Sequence, residues 1–301
     1  MLSILIPEYN YNCTKLVNDL FIQCKAAGFA YEILVMDDSS TQYKEENRTI
    51  SEIPGCRFIE VGQVGQNLGC TKTKNSLTSL AQYPYLLIID CDMGVVDDRY
   101  IQHYVEAMGK APVVIGGFRY CEEKVDADRL LRWHYGRNRE SLPAAIRNQN
   151  PWKATNTSNA MIEKYIFDKI HFDEQFKDYG HEDTLWGITL KQQSIQVLHI
   201  DNQLYHNGLD KNEVFLAKSL KAVEKYVTVP QIRTQEAVKN IRIFKAYNTV
   251  KKLGLDKFLA FKYKYAGKCM ARNLCGKHPY LFIFDLYRLS YLCSFCLKQK
   301  L

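Results

Sequence analysis

In the first part of the chain, short runs of apolar residues alternate with segments whose apolar residues recur at helical spacing. The apolar runs have the sequences LSILIP, YEILVMDDSS, CRFIEVG, YLLIIDCDM and PVVIGGF. Helical spacing is found, for example, in TKLVNDLFIQCKAAG, which ends at Gly28 as helices commonly do. Strands that are apolar throughout and alternate with helices predict a mostly parallel sheet covered on both faces, and therefore an α/β fold.

Three of the predicted strands end in polar clusters, in the sequences IPEYN, MDDSS and DCDMG. Ligands of such sheets bind beyond the carboxyl ends of the strands, so the three clusters are expected at one edge. Asp90 and Asp92 stand one residue apart there, although like charges repel and isolated carboxylates are costly to remove from water. A divalent cation that carries a diphosphate would resolve this conflict, because Mg²⁺ and Mn²⁺ prefer oxygen ligands.

The Asp-x-Asp pattern alone is compatible with other interpretations. One is a solvated acid pair at a strand end, with no ligand at all. Another is a phosphatase whose nucleophile is the first Asp, but such a motif stands on the first strand of its domain, and three predicted strands precede Asp90. Dinucleotide binding fits poorly, because the glycines of GQVGQNLG lack the GxGxxG spacing and follow the third strand.

The composition is that of a globular protein, with 47% hydrophobic and 24% charged residues. Most of the ten cysteines lie singly within apolar patterns, which favours reduced thiols in a cytoplasmic protein. The pair Cys293 and Cys296 lacks a second pair at the spacing of a zinc site. No basic, apolar leader precedes Leu2 and no uninterrupted apolar run reaches about 18 residues, so neither a signal peptide nor a spanning helix is expected.

Charge divides the chain into two parts. Residues 1–210 hold 21 Lys/Arg and 28 Asp/Glu, a balance of −7, whereas residues 211–301 hold 19 and 5, a balance of +14. This division predicts a first domain over 1–210 and a basic helical C-terminal extension over 211–301. The extension interleaves lysines with aromatic residues, which suits either a helix at a membrane surface or a helix packed on the first domain. Nucleic acid is not expected as a partner, because nothing in the first part supports it.

Five motifs in this order resemble the successive signatures of family 2 glycosyltransferases with the GT-A fold. They are LSILIPEYN, YEILVMDDSS, NLGCTKTKN, YLLIIDCDM and DYGHEDTLWG. The last is similar to the acceptor-site motif of inverting galactosyl- and N-acetylgalactosaminyl-type transferases and of chondroitin-polymerase-like domains. The resemblance covers roughly residues 1–210 and implies a UDP-sugar donor, a glycan or lipid-linked glycan acceptor, and Mn²⁺ or Mg²⁺ as cofactor. It also implies surface polysaccharide synthesis in the cytoplasm, by an enzyme that is either free or peripheral at the inner face of the membrane.

The resemblance places the nucleotide against the ends of the predicted strands and the loops that follow them. The nucleotide-binding residues that it implies are Pro7, Glu8, Tyr9, Asp38, Asn67, Gly69, Lys74 and Asp90. Tyr9 would stack on uracil, and Asp38 would accept a hydrogen bond from the base. Lys74 stands where the family usually has Arg, which retains the charge but loses the bidentate geometry.

Metal binding and proton transfer are assigned to different acids. The resemblance implies that Asp92 ligates the metal directly, that Asp90 meets the metal or the ribose, and that His206 supplies a third metal ligand. Since an attacking acceptor hydroxyl must lose a proton, one carboxylate has to serve as general base. In the family this base is the Asp of the Glu-Asp pair, which implies Asp183 as base and Glu182 as a ligand of sugar hydroxyls.

Three further side chains are expected near the sugars. Trp186 would offer an apolar platform to a sugar ring, and Asn156 and Ser158 would hydrogen-bond the donor sugar. Glu182 and Asp183 also suit the N-terminal turn of a helix, where acids are favoured. Two other functions stay open at this stage, a nucleotide-sugar-binding module without turnover and an Asp-x-Asp phosphatase.

Overall fold

The structure is a computed structural model that describes residues 1–123, 125–174, 182–228 and 241–299. The chain divides into two compact units, one of Met1–Cys121 with Glu140–Gly208 and one of Glu122–Arg139 with Leu209–Leu301. Glu122–Arg139 therefore groups with the C-terminal residues, which the change in charge near residue 210 does not indicate. The division into domains 1–210 and 211–301 stays a prediction.

The regular elements alternate along the first unit and are helical in the second. The strands are β1 (Leu2–Glu8), β2 (Tyr31–Asp37), β3 (Cys56–Glu60), β4 (Tyr85–Ile89), β5 (Met93–Gly94), β6 (Val113–Ile115), β7 (Phe118–Arg119), β8 (Asn159–Glu163), β9 (Val197–His199) and β10 (Leu204–His206). The helices are α1 (Thr14–Ala27), α2 (Lys44–Arg48), α3 (Cys70–Leu80), α4 (Tyr100–Ala107), α5 (Leu130–Tyr135), α6 (Ala144–Arg147), α7 (Lys164–Lys169), α8 (Glu182–Gln192), α9 (Asn212–Thr228), α10 (Arg242–Lys252), α11 (Asp256–Leu274) and α12 (Leu281–Lys298).

A seven-stranded sheet with the order β3-β2-β1-β4-β8-β6-β9 forms the centre of the first unit. β1 pairs in parallel with β2 and β4, and β2 pairs in parallel with β3, while β8 runs antiparallel to both of its neighbours. Every residue of β1 is buried. Because successive residues of a strand point to opposite faces, both faces of this sheet are covered. The predicted α/β fold with a mostly parallel sheet is confirmed.

A smaller sheet with the order β5-β10-β7 lies beside the Asp-x-Asp motif. β10 pairs antiparallel with β5, with His206 opposite Met93, and parallel with β7. Since β5 begins directly after Asp92, this pairing brings His206 next to the end of the motif. Two-residue strands such as β5 and β7 carry no apolar run, so the sequence pattern does not predict this sheet.

Trp186, which is predicted to form a platform for a sugar ring, belongs to an apolar cluster built on the large sheet. Trp186 is 2% exposed, its ring lies 5.6 Å from that of Phe172, and its Nε1 donates to the carbonyl oxygen of Ile170 at 3.1 Å. Neither face of the indole is open to solvent. The expected sugar platform is therefore not compatible with this burial, and Trp186 is a core residue of α8.

Asn159 holds β8 to the segments around it through both ends of its amide. Its Oδ1 accepts hydrogen bonds from the hydroxyls of Tyr100 at 2.6 Å and Tyr104 at 2.7 Å. Its Nδ2 donates to the carbonyl oxygens of Gly117 at 2.6 Å and Asn202 at 2.9 Å. Both tyrosines and Asn159 are buried. The buried amide therefore satisfies polar groups that have been removed from water.

Replacing Asn159 by Ala is expected to lower the free energy of unfolding by about 3 kcal/mol, because buried hydroxyls and carbonyls then lose partners. Urea denaturation followed by circular dichroism measures the change. Asn18→Ala is the matched control, since Asn18 lies exposed on α1 and its side chain donates to the carbonyl oxygen of Thr14. Equal midpoints for the two variants would contradict the structural role of Asn159.

In the described part of the second unit, helices build two apolar clusters. One contains Leu131, Phe215, Leu216, Leu274, Phe284 and Tyr287, and the other contains Val223, Tyr247, Leu292, Cys293 and Cys296. α11 packs on α12, where the ring of Tyr263 lies 5.4 Å from that of Tyr287 and 5.1 Å from that of Tyr291. Among the described residues, no helix has the length and apolar composition needed to cross a membrane.

Candidate functional site

The polar clusters after β1, β2 and β4 lie at the same edge of the large sheet. β1 is parallel to both neighbours, and Glu8 stands opposite Asp37 in the register. The backbone N–H of Asp38 donates to the carbonyl oxygen of Glu8 at 2.8 Å, which joins the two strand ends. Asp90 follows β4 on the other side of β1. The sheet therefore gathers the acids that the sequence places at three separate strand ends.

Glu8 and Asp37 are buried and brace the loops that follow their strands. Glu8 Oε1 accepts from the backbone N–H of Tyr11 at 2.8 Å, and both carboxylate oxygens lie 3.2 Å from Ser40 Oγ. Asp37 pairs with Lys44 at 3.1 Å. Burial raises the pKa of Glu8, and the charge of Asp37 raises it further. The side chain of Glu8 is turned into the protein, so its predicted contact with a nucleotide stays a prediction.

Asp38 fixes the loop that precedes α3. Its two carboxylate oxygens accept hydrogen bonds from the backbone N–H groups of Leu68, at 2.6 Å, and Gly69, at 2.9 Å. Gly69 has φ = 96°, a left-handed conformation that favours glycine, and caps the N-terminus of α3. The hydrogen bond that Asp38 is predicted to accept from a base would have to use the remaining lone pairs of the same oxygens.

The other residues predicted to bind the nucleotide differ in accessibility. Pro7 is buried within β1, whereas Tyr9 and Asn67 are exposed on the loops after β1 and β3. Tyr9 is 43% exposed, so its ring is available for stacking. The predicted stacking of Tyr9 on uracil stays a prediction.

Lys74 lies inside the site on α3 and is 3% exposed. Its Nζ is 3.1 Å from Asp90 Oδ1 and donates to Thr157 Oγ1 at 3.1 Å. Burial disfavours the ammonium form, but the carboxylate of Asp90 raises the pKa of Lys74 well above its usual value. Conversely, although burial favours a neutral carboxyl, Lys74 holds the pKa of Asp90 below its usual value. The pair is therefore ionised at neutral pH.

Thr157 continues this network from Lys74 to Asp183. Its hydroxyl donates to Asp183 Oδ1 at 2.6 Å while accepting from Lys74, and its backbone N–H donates to the same oxygen at 3.2 Å. On the next residue, Ser158 Oγ donates to Asp90 Oδ2 at 2.5 Å. The segment before β8 thus joins both groups of acids, Asp90 at the strand end and Asp183 at the start of α8. Thr157 lies between Asn156 and Ser158, but no motif in the sequence singles it out.

Asp183 and Glu182 form the first turn of α8. Burial raises the pKa of Asp183 to about 7, and the charge of Glu182 adds to the rise while Lys74 opposes it. A carboxylate with a pKa near neutrality is suited to accept a proton from a bound hydroxyl. The preceding part of the motif, residues 178–181, lies outside the described residues.

The pairing of β5 with β10 brings Asp92 and His206 together. His206 Nε2 lies 3.9 Å from Asp92 Oδ2, and the imidazole stacks on Tyr120 at a ring distance of 5.4 Å. His206 Nδ1 is buried without a hydrogen-bond partner in the described part of the chain. One carboxylate and one imidazole suit Mn²⁺ better than Mg²⁺. Over residues 1–123, 125–174, 182–228 and 241–299, no three His, Cys, Asp or Glu side chains form a metal cluster.

Gly208, two residues after His206, lies against the carboxylate of Asp92. A Cβ atom at this position would lie 1.9 Å from Asp92 Oδ2 and 2.7 Å from Asp92 Cγ. The absent side chain makes room for the Asp92 carboxylate. The glycine is visible in the sequence LYHNG, but the reason for it is the pairing of β10 with β5, which brings Gly208 to Asp92.

Asn156, which is predicted to meet the donor sugar, and His199, at the end of β9, both form hydrogen bonds within the protein. Asn156 Oδ1 accepts from the backbone N–H of Ser158 at 2.8 Å and so holds the local turn. The Nδ1 of His199 lies 2.7 Å from an Arg147 amino group, its Nε2 lies 3.0 Å from the carbonyl oxygen of Pro151, and burial lowers its pKa to about 4. His199 is therefore a neutral, structural residue.

Comparison with known proteins gives matches of sequence and of fold. The family described as Glycosyl transferase family 2 matches residues 3–171. Chondroitin synthase from Escherichia coli is 23% identical over 241 residues, which cover 68% of this chain and 34% of that protein. The chain therefore spans about a third of the length of this curated relative.

Two solved structures share the fold at low sequence identity. S. aureus TarS 1-349 in complex with UDP has a TM-score of 0.51 at 14% identity, covering 100% of this chain and 92% of that chain. A mannosyltransferase from Pyrobaculum calidifontis in complex with GDP-Man and Mn²⁺ has a TM-score of 0.56 at 14% identity, covering 99% and 86%. The family match covers more than half of the 301 residues, confirms the predicted resemblance to family 2 glycosyltransferases, and shows that the chain is a glycosyltransferase of family 2.

Proposed function

We propose that this glycosyltransferase moves a sugar from a UDP-sugar to a glycan or a lipid-linked glycan, with inversion at the anomeric carbon and with Mn²⁺ or Mg²⁺ at the diphosphate. The observation that carries the proposal is the hydrogen-bonded network that runs from Asp90 through Lys74 and Thr157 to Asp183. Asp92 lies two residues after Asp90 in the sequence. His206 stands opposite Met93, the residue after Asp92, in the small sheet. This arrangement supports one site in which strand-end acids and a possible base are held together. We assign this activity to a domain over 1–210, with 211–301 as an extension.

On the donor side, Asp92 and His206 would hold the metal ion, and Tyr9 would stack on the uracil. The residues Pro7, Glu8, Asp38, Asn67 and Gly69 would shape the surrounding loops. Asp90, already paired with Lys74, would approach the ribose or the metal. When bound, the metal supplies positive charge that stabilises the departing diphosphate. The TarS complex with UDP and the mannosyltransferase complex with Mn²⁺ support this choice of ligands for proteins with the same fold.

On the acceptor side, Asp183 would take the proton of the attacking hydroxyl. Attack on the face opposite the diphosphate is a single displacement, which turns an α-linked donor into a β-linked product. Thr157 would keep the accepting oxygen of Asp183 in place, and Glu182 would bind sugar hydroxyls. Asn156 and Ser158 would lie near the donor sugar. Trp186 is not included, because it is buried in the core.

The rate of transfer is expected to rise with pH through about 7, because burial raises the pKa of Asp183 to about 7 and only its ionised form accepts a proton. Below that pH, the rate should fall about tenfold per unit as the carboxyl becomes protonated. The measurement is kcat against pH at saturating donor. Thr157→Val should move the acid limb to higher pH, since the hydroxyl of Thr157 lowers the pKa of Asp183. A pH-independent rate from 5 to 8 would remove Asp183 from this role.

Gly208→Ala is expected to weaken Mn²⁺-dependent UDP binding by about 10- to 100-fold, the usual loss when the support of a metal ligand is disturbed. The new Cβ would meet Asp92 Oδ2 at 1.9 Å and push the carboxylate aside. Titration calorimetry with UDP, with and without Mn²⁺, measures the loss. Gly267→Ala is the matched control, because a Cβ there meets its nearest neighbour at 3.6 Å. Unchanged binding by Gly208→Ala would contradict the proposed role of Asp92.

The acceptor and the setting belong to the same proposal. Similarity to chondroitin synthase supports a glycan acceptor and a place in surface polysaccharide synthesis. We place the enzyme in the cytoplasm, with a peripheral contact between its C-terminal helices and the inner face of the membrane. Nucleic acid is not proposed as a partner.

The experiment is UDP release from a panel of UDP-hexoses, UDP-N-acetylhexosamines and UDP-glucuronic acid, each with oligosaccharide acceptors and with or without Mn²⁺. The proposal expects metal-dependent release with at least one donor, stimulated by an acceptor. Tight UDP-sugar binding without any release would instead identify a binding module. Release of phosphate from p-nitrophenyl phosphate would favour an Asp-x-Asp phosphatase.

A further inference from the structure

Helix α11 exposes a row of aromatic rings to solvent. Phe258, Phe261 and Tyr265 are 55%, 58% and 65% exposed, although such side chains are usually covered. Their positions i, i+3 and i+7 place them along one side of the helix. The rings of Phe261 and Tyr265 lie 4.3 Å apart, so part of the row is continuous. This side of α11 has an apolar centre that the described part of the second unit leaves open.

Lysines flank this aromatic row on both sides. At 100° per residue, Lys257, Lys264 and Lys268 fall on one side of the row, and Lys262 falls on the other. The Nζ of Lys262 lies 5.4 Å from the ring centre of Phe258, and that of Lys264 lies 5.4 Å from the ring centre of Tyr265. α11 holds five basic residues and one acidic residue, a balance of +4. We call the three rings and the four lysines the aromatic–basic face.

An open groove of about 550 Å³ adjoins this face, between α11 and α12. It is lined by Ala260, Phe261, Tyr263, Lys264, Ser294, Leu297 and Lys298. Leu297 is itself exposed, which extends the apolar surface onto α12. The groove thus combines apolar walls with two ammonium groups, the chemistry that suits an acyl chain below an anionic headgroup.

We propose that the aromatic–basic face and its groove bind the surface of a bilayer that contains anionic lipids. Aromatic rings settle at the level of the headgroups, and lysine stems extend along apolar surface while the ammonium groups reach lipid phosphates. Single-stranded nucleic acid also combines phosphates with bases that stack on aromatic rings, but it offers no acyl chain for the groove between α11 and α12. The inference rests on the peripheral membrane contact proposed above and identifies the surface that makes it.

The experiment is vesicle flotation of the full chain without donor sugar. Because this assay does not involve sugar transfer, a negative result would not count against the proposed reaction. Vesicles of phosphatidylcholine with phosphatidylglycerol are compared with vesicles of phosphatidylcholine alone. Wild type should float with the anionic vesicles, and high salt should release it. Lys257→Gln/Lys264→Gln/Lys268→Gln and Phe258→Ser/Phe261→Ser/Tyr265→Ser should each lose at least about tenfold in binding.

The matched control removes three exposed lysines of the first unit, Lys15→Gln/Lys25→Gln/Lys110→Gln, and should bind anionic vesicles as wild type does. Thermal unfolding and UDP binding check that every variant is folded. Equal losses for control and test variants, no flotation of wild type, or tighter binding to polynucleotide than to vesicles would each overturn the proposal. So would a self-associated wild type that the aromatic substitutions convert to monomer, because a second copy would then cover the face.

Discussion

Asp183→Asn is expected to lower the rate of sugar transfer by about 10²- to 10⁴-fold, the range that a general base contributes. The amide keeps the size of the side chain but cannot take the proton of the acceptor hydroxyl. Binding of UDP should be unchanged, because the proposed nucleotide contacts lie at the strand ends and not on α8. The measurement pairs UDP release under saturating donor with the Kd for UDP.

A matched control for this change is Asp98→Asn, since Asp98 is exposed on the loop before α4. That variant should transfer at the wild-type rate. Normal transfer by Asp183→Asn would show that the proton goes elsewhere, and Glu182 would be the next residue to test. A parallel loss of UDP binding would mean that Asp183 supports the donor site and not only the acceptor.

Asp92→Ala is expected to weaken Mn²⁺-dependent UDP binding by at least about 10- to 100-fold, because it removes the carboxylate that faces His206. Metal-independent UDP binding should remain, since the loops after β1 and β2 are held by other contacts. Titration of UDP with and without Mn²⁺ separates the two contributions.

Asp98→Ala again serves as the control, because it removes an exposed carboxylate of the first unit. It should leave both titrations unchanged. If Asp92→Ala retained the full effect of Mn²⁺ on UDP binding, another carboxylate would have to hold the metal, and Asp90 would be the neighbouring candidate.

The central sheet could be predicted because its strands are encoded locally. β1, β2 and β4 are mostly apolar, and strands buried on both faces require such a composition. Once they are parallel neighbours, Glu8, Asp37 and Asp90 must meet at one edge. The meeting of these three acids at one edge of the sheet therefore follows from the pattern of the sequence.

The small sheet could not be predicted in the same way. Its strands β5 and β7 have two residues each, too few to show a period. His206 reaches Asp92 because residues more than a hundred positions apart pair antiparallel, and Gly208 permits the close approach. No local pattern carries such a pairing, and the expectation for His206 came from the family resemblance.

Burial determines which groups Lys74 and Trp186 contact. Lys74 is predicted to bind the nucleotide, and in the structure its buried ammonium joins Asp90 to Thr157. Trp186 was expected at a sugar, but it packs in the core. A sequence shows that a residue is charged or aromatic, whereas its direction depends on the packing of α3 and α8 against the sheet. The role of Thr157 depends on the same packing.

The most direct test of the proposed site compares three proteins in two assays. Wild type, Asp92→Ala and Asp183→Asn are each assayed for Mn²⁺-dependent UDP binding and for acceptor-dependent UDP release. We predict that Asp92→Ala loses metal-dependent binding and, with it, release, while Asp183→Asn binds normally and fails to release UDP. Full release by either variant, or the same loss of binding in both, would contradict the separation of a metal-binding acid from a catalytic base.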